Sequence, residues 1–115
     1  MMIEKKYVKS EKKFELPCEI VAFFDKTNTP NNKVTFGYAV FNPGARSPEE
    51  GLSCHEQDEY SFIIKGEAKI VIDGKVYTSK VNSAGFIPAG EAHYSYNDSK
   101  EPCELIWVLV ENKTS

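Results

Sequence analysis

Residues 52–97 read LSCHEQDEYSFIIKGEAKIVIDGKVYTSKVNSAGFIPAGEAHYSYN, and both of the chain's histidines lie within them. His55 is followed four residues later by Glu59, then by an apolar run (Tyr60, Phe62, Ile63, Ile64) that closes at Gly66. His93 stands three residues after Gly90 in a Pro-Ala-Gly turn, with Asn97 four residues further on. Lys65-Gly66 and Asp73-Gly74 are turn signals, the second a strong hairpin dipeptide. They cut the stretch into the short apolar runs EYSFII, EAKIVI and KVYTSKV, with the rhythm of a β-meander. A further turn over Asn82-Ser83-Ala84-Gly85 precedes Phe86-Ile87.

The flanks repeat this pattern. Upstream, Glu19 to Phe24 is a compact apolar run. Lys26 to Asn32 is a loop by composition, with Pro30 and three asparagines. Lys33 to Phe41 is rich in β-branched and aromatic residues and reads as a strand, with Val34, Phe36, Tyr38 and Val40 on one face. Asn42-Pro43-Gly44 ends it, and a polar loop over Ala45 to Gly51 leads into the histidine stretch. Downstream, Glu104 to Val110 is the last apolar run. Residues 1–13 alternate weakly and predict an N-terminal arm or edge strand. No segment keeps a helical period over ten residues. Many short strands with regular turns predict an all-β sandwich or barrel.

The histidine stretch resembles the cupin superfamily. In that family's first motif, G(X)5HXH(X)3-4E(X)6G, His55 matches the second histidine, Glu59 the glutamate and Gly66 the closing glycine. In the second, G(X)5PXG(X)2H(X)3N, Pro88, Gly90, His93 and Asn97 match the last four fixed positions without a gap. Ser53 stands where the first motif has its other histidine, and neither leading glycine is present: Asn82 replaces one, while Gly85 sits nearer the proline. The resemblance spans roughly 34–110 and implies one jelly-roll barrel domain over 1–115, a small barrel able to hold one small ligand. It also implies that His55, Glu59 and His93 bind one divalent transition metal. Two imidazoles and a carboxylate with open positions suit Fe, and also Mn, Co, Ni or Zn. A homodimer is implied by the family's habits.

Around that centre the sequence offers further candidates. Ser53 is a poor ligand but could hydrogen-bond a metal-bound water, and Gln57 could supply a carbonyl oxygen if it turned inward. Asn97 would share a face with His93 and Ser95. Tyr38 and Trp107 are aromatics whose polar tips could reach a ligand, so Ser53, Gln57, Asn97, Tyr38 and Trp107 form the expected substrate-binding set. Glu59 doubles as a catalytic acid or base. Arg46, the sole arginine, could clamp a carboxylate or phosphate. Cys54 should face away from Ser53 and His55, which speaks against a Cys-His nucleophile.

The bulk properties limit the field. The chain has 115 residues, enough for one core, and a formal charge of -3. Its scattered lysines give no footing for nucleic acid. Three cysteines, an odd number, point to a reduced setting. Without a signal-peptide core or a membrane-length apolar run, a soluble cytoplasmic protein is expected. Functionally, the leading expectation is a small metalloenzyme of oxygenase, isomerase or lyase type acting on a small organic molecule. The alternative is a non-catalytic barrel that binds or senses a metabolite or sugar, with or without metal. The short length and the complete second motif count against a storage role.

Overall fold

The computed structural model describes residues 2–8 and 17–112. Nine strands follow in chain order: β1 (Cys18–Phe24), β2 (Val34–Phe41), β3 (Arg46–Ser47), β4 (Gln57–Lys65), β5 (Glu67–Ile72), β6 (Lys75–Lys80), β7 (Ala84–Ile87), β8 (His93–Tyr96) and β9 (Cys103–Glu111). They form a five-stranded sheet in the order β1-β2-β9-β4-β7 and a four-stranded sheet in the order β3-β8-β5-β6. All of the strand pairings are antiparallel, and the two sheets make a jelly roll. No helix long and apolar enough to cross a membrane occurs among the described residues. Residues 2–8 carry no strand, and Tyr7 lies over Tyr38 with ring centroids 4.5 Å apart. The rest of the expected N-terminal arm, residues 9–13, lies outside the described residues.

Each apolar run of the sequence forms its strand, but the meander does not form. Asp73 and Gly74 both adopt positive φ and close the β5–β6 hairpin, as a two-residue primed turn requires. Lys65-Gly66 instead carries the chain from one sheet to the other, and β4 pairs with β7 and β9. Gly66 has φ 75°, and a Cβ there would stand 2.3 Å from the Pro102 carbonyl oxygen. Turn chemistry alone cannot separate a hairpin from such a corner, because both use the left-handed region.

Strand parity decides what faces inward. Ala39, Phe41, Ile63, Ala68 and Cys103 are buried together between the sheets, with Leu105 and Trp107 packed against them. Trp107 on β9 stands between Gly37 on β2 and Ser61 on β4 in the register. These two small residues leave room for the indole: a Cβ on Gly37 would lie 2.2 Å from its ring. Three even-numbered positions of β4 are apolar too. Tyr60, Phe62 and Ile64 are exposed on the outer face beside Phe86, and the Tyr60 and Phe86 rings are 4.9 Å apart. An antiparallel sheet with one wet face normally puts polar residues there.

Candidate metal centre

Three elements bring His55, Glu59 and His93 together. His55 sits in the loop before β4, Glu59 lies on β4 opposite Leu109 and Ile87, and His93 opens β8 opposite Ile72. The cluster therefore draws on both sheets. An isolated bridge between Ser53 and His93 ties the loop to β8, with N–H···O distances of 2.7 and 2.9 Å. The Gly90 amide donates to the His55 carbonyl at 2.9 Å, which anchors the Pro-Ala-Gly turn beside the loop. One donor atom from each of the three side chains falls within 4.8 Å of the others. His55 Nε2 lies 3.7 Å from Glu59 Oε1, and the two imidazoles meet edge to face at 5.3 Å.

The protons on those imidazoles are placed by the backbone. His55 Nδ1 is 2.9 Å from the Gln57 carbonyl oxygen, and His93 Nδ1 is 2.9 Å from the Glu91 carbonyl oxygen. A carbonyl oxygen can only accept, so in each neutral ring Nδ1 carries the hydrogen and Nε2 keeps its lone pair. Metal-binding histidines take this same arrangement, in which a backbone acceptor fixes the tautomer and raises the basicity of the other nitrogen. Two such nitrogens and a carboxylate oxygen fit a divalent transition ion.

A cavity of about 240 Å³ adjoins the cluster, and His55, Glu59 and His93 form part of its wall. Ser47, Ser53, Ser61 and Ser95 supply hydroxyls to that wall, while Ile20, Leu105 and other aliphatic side chains make it mainly apolar. Ser53 and Trp107 both line it, where the sequence places two of its candidates. The Trp107 indole nitrogen is buried and has no hydrogen-bond partner among the described residues.

The other candidates are engaged elsewhere. Tyr38 lies on the outer face of its strand, opposite in parity to Ala39 and Phe41, and its hydroxyl donates to Glu104. Burial and the Glu104 carboxylate hold its phenol well above the ordinary value. Asn97 is 1% exposed and fully occupied. Its Nδ2 donates to the carbonyls of Phe41 (2.9 Å) and Glu101 (2.8 Å), and its Oδ1 accepts from the Ser99 amide and hydroxyl. Asn97 thus pins the β8–β9 loop to β2 and leaves nothing for a ligand. The Gln57 side chain donates to Glu111 at 3.0 Å, so its contribution to the centre is its main-chain carbonyl. Arg46 donates to the carbonyls of Pro48 and Gly51 and stacks on Tyr94, which fastens its own loop. Cys54 points away from the cavity toward the Gly90 carbonyl. Cys103 is fully buried, and burial pushes its thiol up to about 11.

One positioning residue escaped the sequence reading. Asp58 accepts the Ala89 amide at 2.9 Å and the Asn112 side chain at 3.2 Å, which links β4 to the Pro-Ala-Gly turn. Its sequence neighbourhood reads as a solvated acidic loop, and only the fold reveals the amide it meets.

Comparisons with known proteins agree with this architecture. A family model described as Cupin domain matches residues 37–109. A mannose-1-phosphate guanylyltransferase of Escherichia coli (strain K12) is 38% identical over 64 residues, which are 53% of this chain. The matched region is 13% of the length of the curated relatives it resembles. Among solved structures, a predicted oxalate decarboxylase from Thermotoga maritima superposes with a TM-score of 0.72 at 25% identity, covering 83% of this chain and 81% of that one. A cupin domain from Schizosaccharomyces pombe gives 0.71 at 13% identity, over 84% of this chain and 66% of the other. At that identity the likeness is one of fold.

Proposed function

The chain belongs to the cupin domain family, and from that premise we propose that His55, Glu59 and His93 bind one divalent transition metal, making this a small metalloenzyme for a small organic molecule. The observation that carries the reading is the pair of Nδ1–carbonyl contacts at 2.9 Å, which leave the lone pair on Nε2 in both rings, in a cluster whose ligand atoms lie within 4.8 Å of one another. Bound there, the ion would polarise a substrate oxygen or activate dioxygen. The protein's own groups hold that chemistry in place. Glu59 serves as ligand and, at the cavity wall, as the group able to take or return a proton. Ser53, beside His93, is placed to hydrogen-bond an oxygen in the cavity. The aliphatic side chains of the wall lower the local polarity and strengthen the polar contacts beside them. The likeness to a predicted oxalate decarboxylase supports an enzymatic reading over a purely structural one.

The test is elemental analysis of protein purified without chelator, beside a His93→Ala control. About one equivalent of Fe, Mn, Co, Ni or Zn, lost in the control, is expected. A folded chain that carries no metal in either sample would sink the proposal. Ser53, in place of a further nitrogen donor, favours the second reading, a metabolite-binding barrel that works without metal. Ligand-induced thermal stabilisation that persists in EDTA would select it.

The same proposal includes assembly and setting. The exposed outer face bearing Tyr60, Phe62, Ile64 and Phe86 would be covered by a second copy in a homodimer. A monomeric mass in sedimentation at micromolar concentration would rule that out. Three unbridged cysteines support a reducing, cytoplasmic setting, to be checked by fractionating cells that express the chain.

A further inference from the structure

We infer that the cavity beside the histidine cluster has a second opening, at the seam between β6 and β7, which admits small uncharged molecules and turns ions away. β6 pairs only with β5 and β7 only with β4, so each ends its sheet and no described strand bridges the two. A cleft opens there, with Tyr77 and Phe86 at its rim, and it shares two wall residues with the cavity: Ser61 of β4 and Ile70 of β5. Both point between the sheets, since Ser61 has the parity of Ile63 and Ile70 that of Ala68. Ile63 and Ala68 are 3% and 5% exposed, whereas Ser61 and Ile70 are only half-buried. Solvent-accessible space therefore runs past them inside the barrel.

The cause is one row of residues across the five-stranded sheet: Gly37, Trp107, Ser61 and Gly85, from β2, β9, β4 and β7. Its one large member leans over Gly37, where a Cβ would lie 2.2 Å from the indole. On the other side the row offers only a hydroxymethyl group and a hydrogen. Gly85 is a regular strand residue paired with Ser61, so its backbone does not call for glycine. A Cβ there would meet the Ser61 Oγ at 3.1 Å, and its absence keeps room where side chains otherwise pack closely. The wall of the passage sets what crosses it. Ile70, Ile72 and Ile87 alternate with the hydroxyls of Ser79 and Ser83. The charged groups stand toward its outer end: Glu91, and Lys75, whose Nζ is 5.0 Å from the centre of the Tyr77 ring. An ion moving inward sheds water without gaining a partner, while a neutral molecule pays no such cost. The passage follows from the barrel alone, with or without metal. Joined to the metal reading, it gives an uncharged co-reactant such as dioxygen or water a route to the cluster separate from the β1 side, where Ile20 lines the cavity and is 57% exposed.

The experiment quenches the emission of Trp107, the chain's single tryptophan, which lines the cavity and is paired with Ser61. Acrylamide is the neutral probe and iodide the anionic one, each applied to the full chain without added metal. Gly85→Val should fill the passage, and Tyr77→Ala, at a rim position 44% exposed, should widen it. Collisional quenching is limited by diffusion, so closing one of two routes should lower the acrylamide constant by about twofold. Tyr77→Ala should raise that constant, and iodide quenching should be the same in all three proteins. Circular dichroism and Tm report whether each variant is folded, and Tyr77→Ala, on an edge strand, carries the test if Gly85→Val is not. Acrylamide quenching that no folded variant changes would overturn the second opening. Iodide quenching that moves in step with acrylamide would overturn the exclusion of ions. Neither result depends on metal content, so a failure here leaves the metal proposal standing.

Discussion

The two histidine segments look like a matched pair in sequence, yet they divide the work unequally. Residues 53–66 contribute two of the three side chains of the candidate metal cluster, His55 and Glu59, which are 23% and 27% exposed. Residues 88–97 contribute only His93, which is 5% exposed. Their other motif residues hold main chain: the Gly90 amide meets the His55 carbonyl, and Asn97 joins β2 to the β8–β9 loop. The segment that matches the last four positions of its motif is mostly scaffold, and the one whose first histidine is replaced by Ser53 supplies two of the three clustered side chains. The matched positions here report how tightly a backbone must be held.

That division can be broken by substitution. The largest effect is expected at Asn97, where alanine leaves the buried Phe41 carbonyl without the donor that Asn97 supplied. Asn97→Ala should cost on the order of 3 kcal/mol and lower Tm by about 10 °C or more. A loss under about 1 kcal/mol in denaturant unfolding would refute the scaffold role. Next comes Ser53→His, which restores a nitrogen donor beside His93. Metal affinity by competition with a chromophoric chelator should rise on the order of tenfold, with Tm nearly unchanged. An unaltered affinity would mean that the loop at residue 53 does not face an open position. A comparable effect, on stability rather than on affinity, is expected at Asp58, which links the segments. Asp58→Ala removes one charged acceptor from the Ala89 amide and should cost about 1–2 kcal/mol. Metal affinity should move by less than about tenfold. A larger fall in affinity than in stability would make Asp58 part of the centre.

The strands were legible because period-2 alternation is written in single residues, and β2, β5 and β9 fall almost where the apolar runs do. The grouping of His55, Glu59 and His93 was legible through the motif spacing, and one potential ligand atom from each falls within 4.8 Å of the others. Sheet membership was not. Whether Lys65-Gly66 folds back or crosses over depends on which strand lies beside β4, a long-range fact that no local turn signal contains. Tyr38 and Trp107 look alike as strand aromatics. They differ by parity against a core whose side becomes known only when Gly37 and Ser61 flank the indole. Asn97 and Gln57 were misread for another reason: a polar side chain in a motif suggests a ligand, while its partners here are carbonyls and a distant glutamate. The carbonyls of Gln57 and Glu91 that fix the imidazoles have no side-chain signature.

The place of β9 at the centre of the five-stranded sheet has a consequence for how the chain is made. β2 and β4 do not touch each other's edges; each pairs with β9, the last of the nine strands to leave the ribosome. Until it arrives, only the β1–β2 and β4–β7 pairs of that sheet can close, and the aromatic-rich flanks of β2 and β4 wait with unmet hydrogen-bonding groups. Trp107, which forms part of the cavity wall, arrives with the same strand. Translation thus delivers an open half-sheet whose completion waits on a distant partner strand, the topology that folds slowly and exposes sticky edges longest.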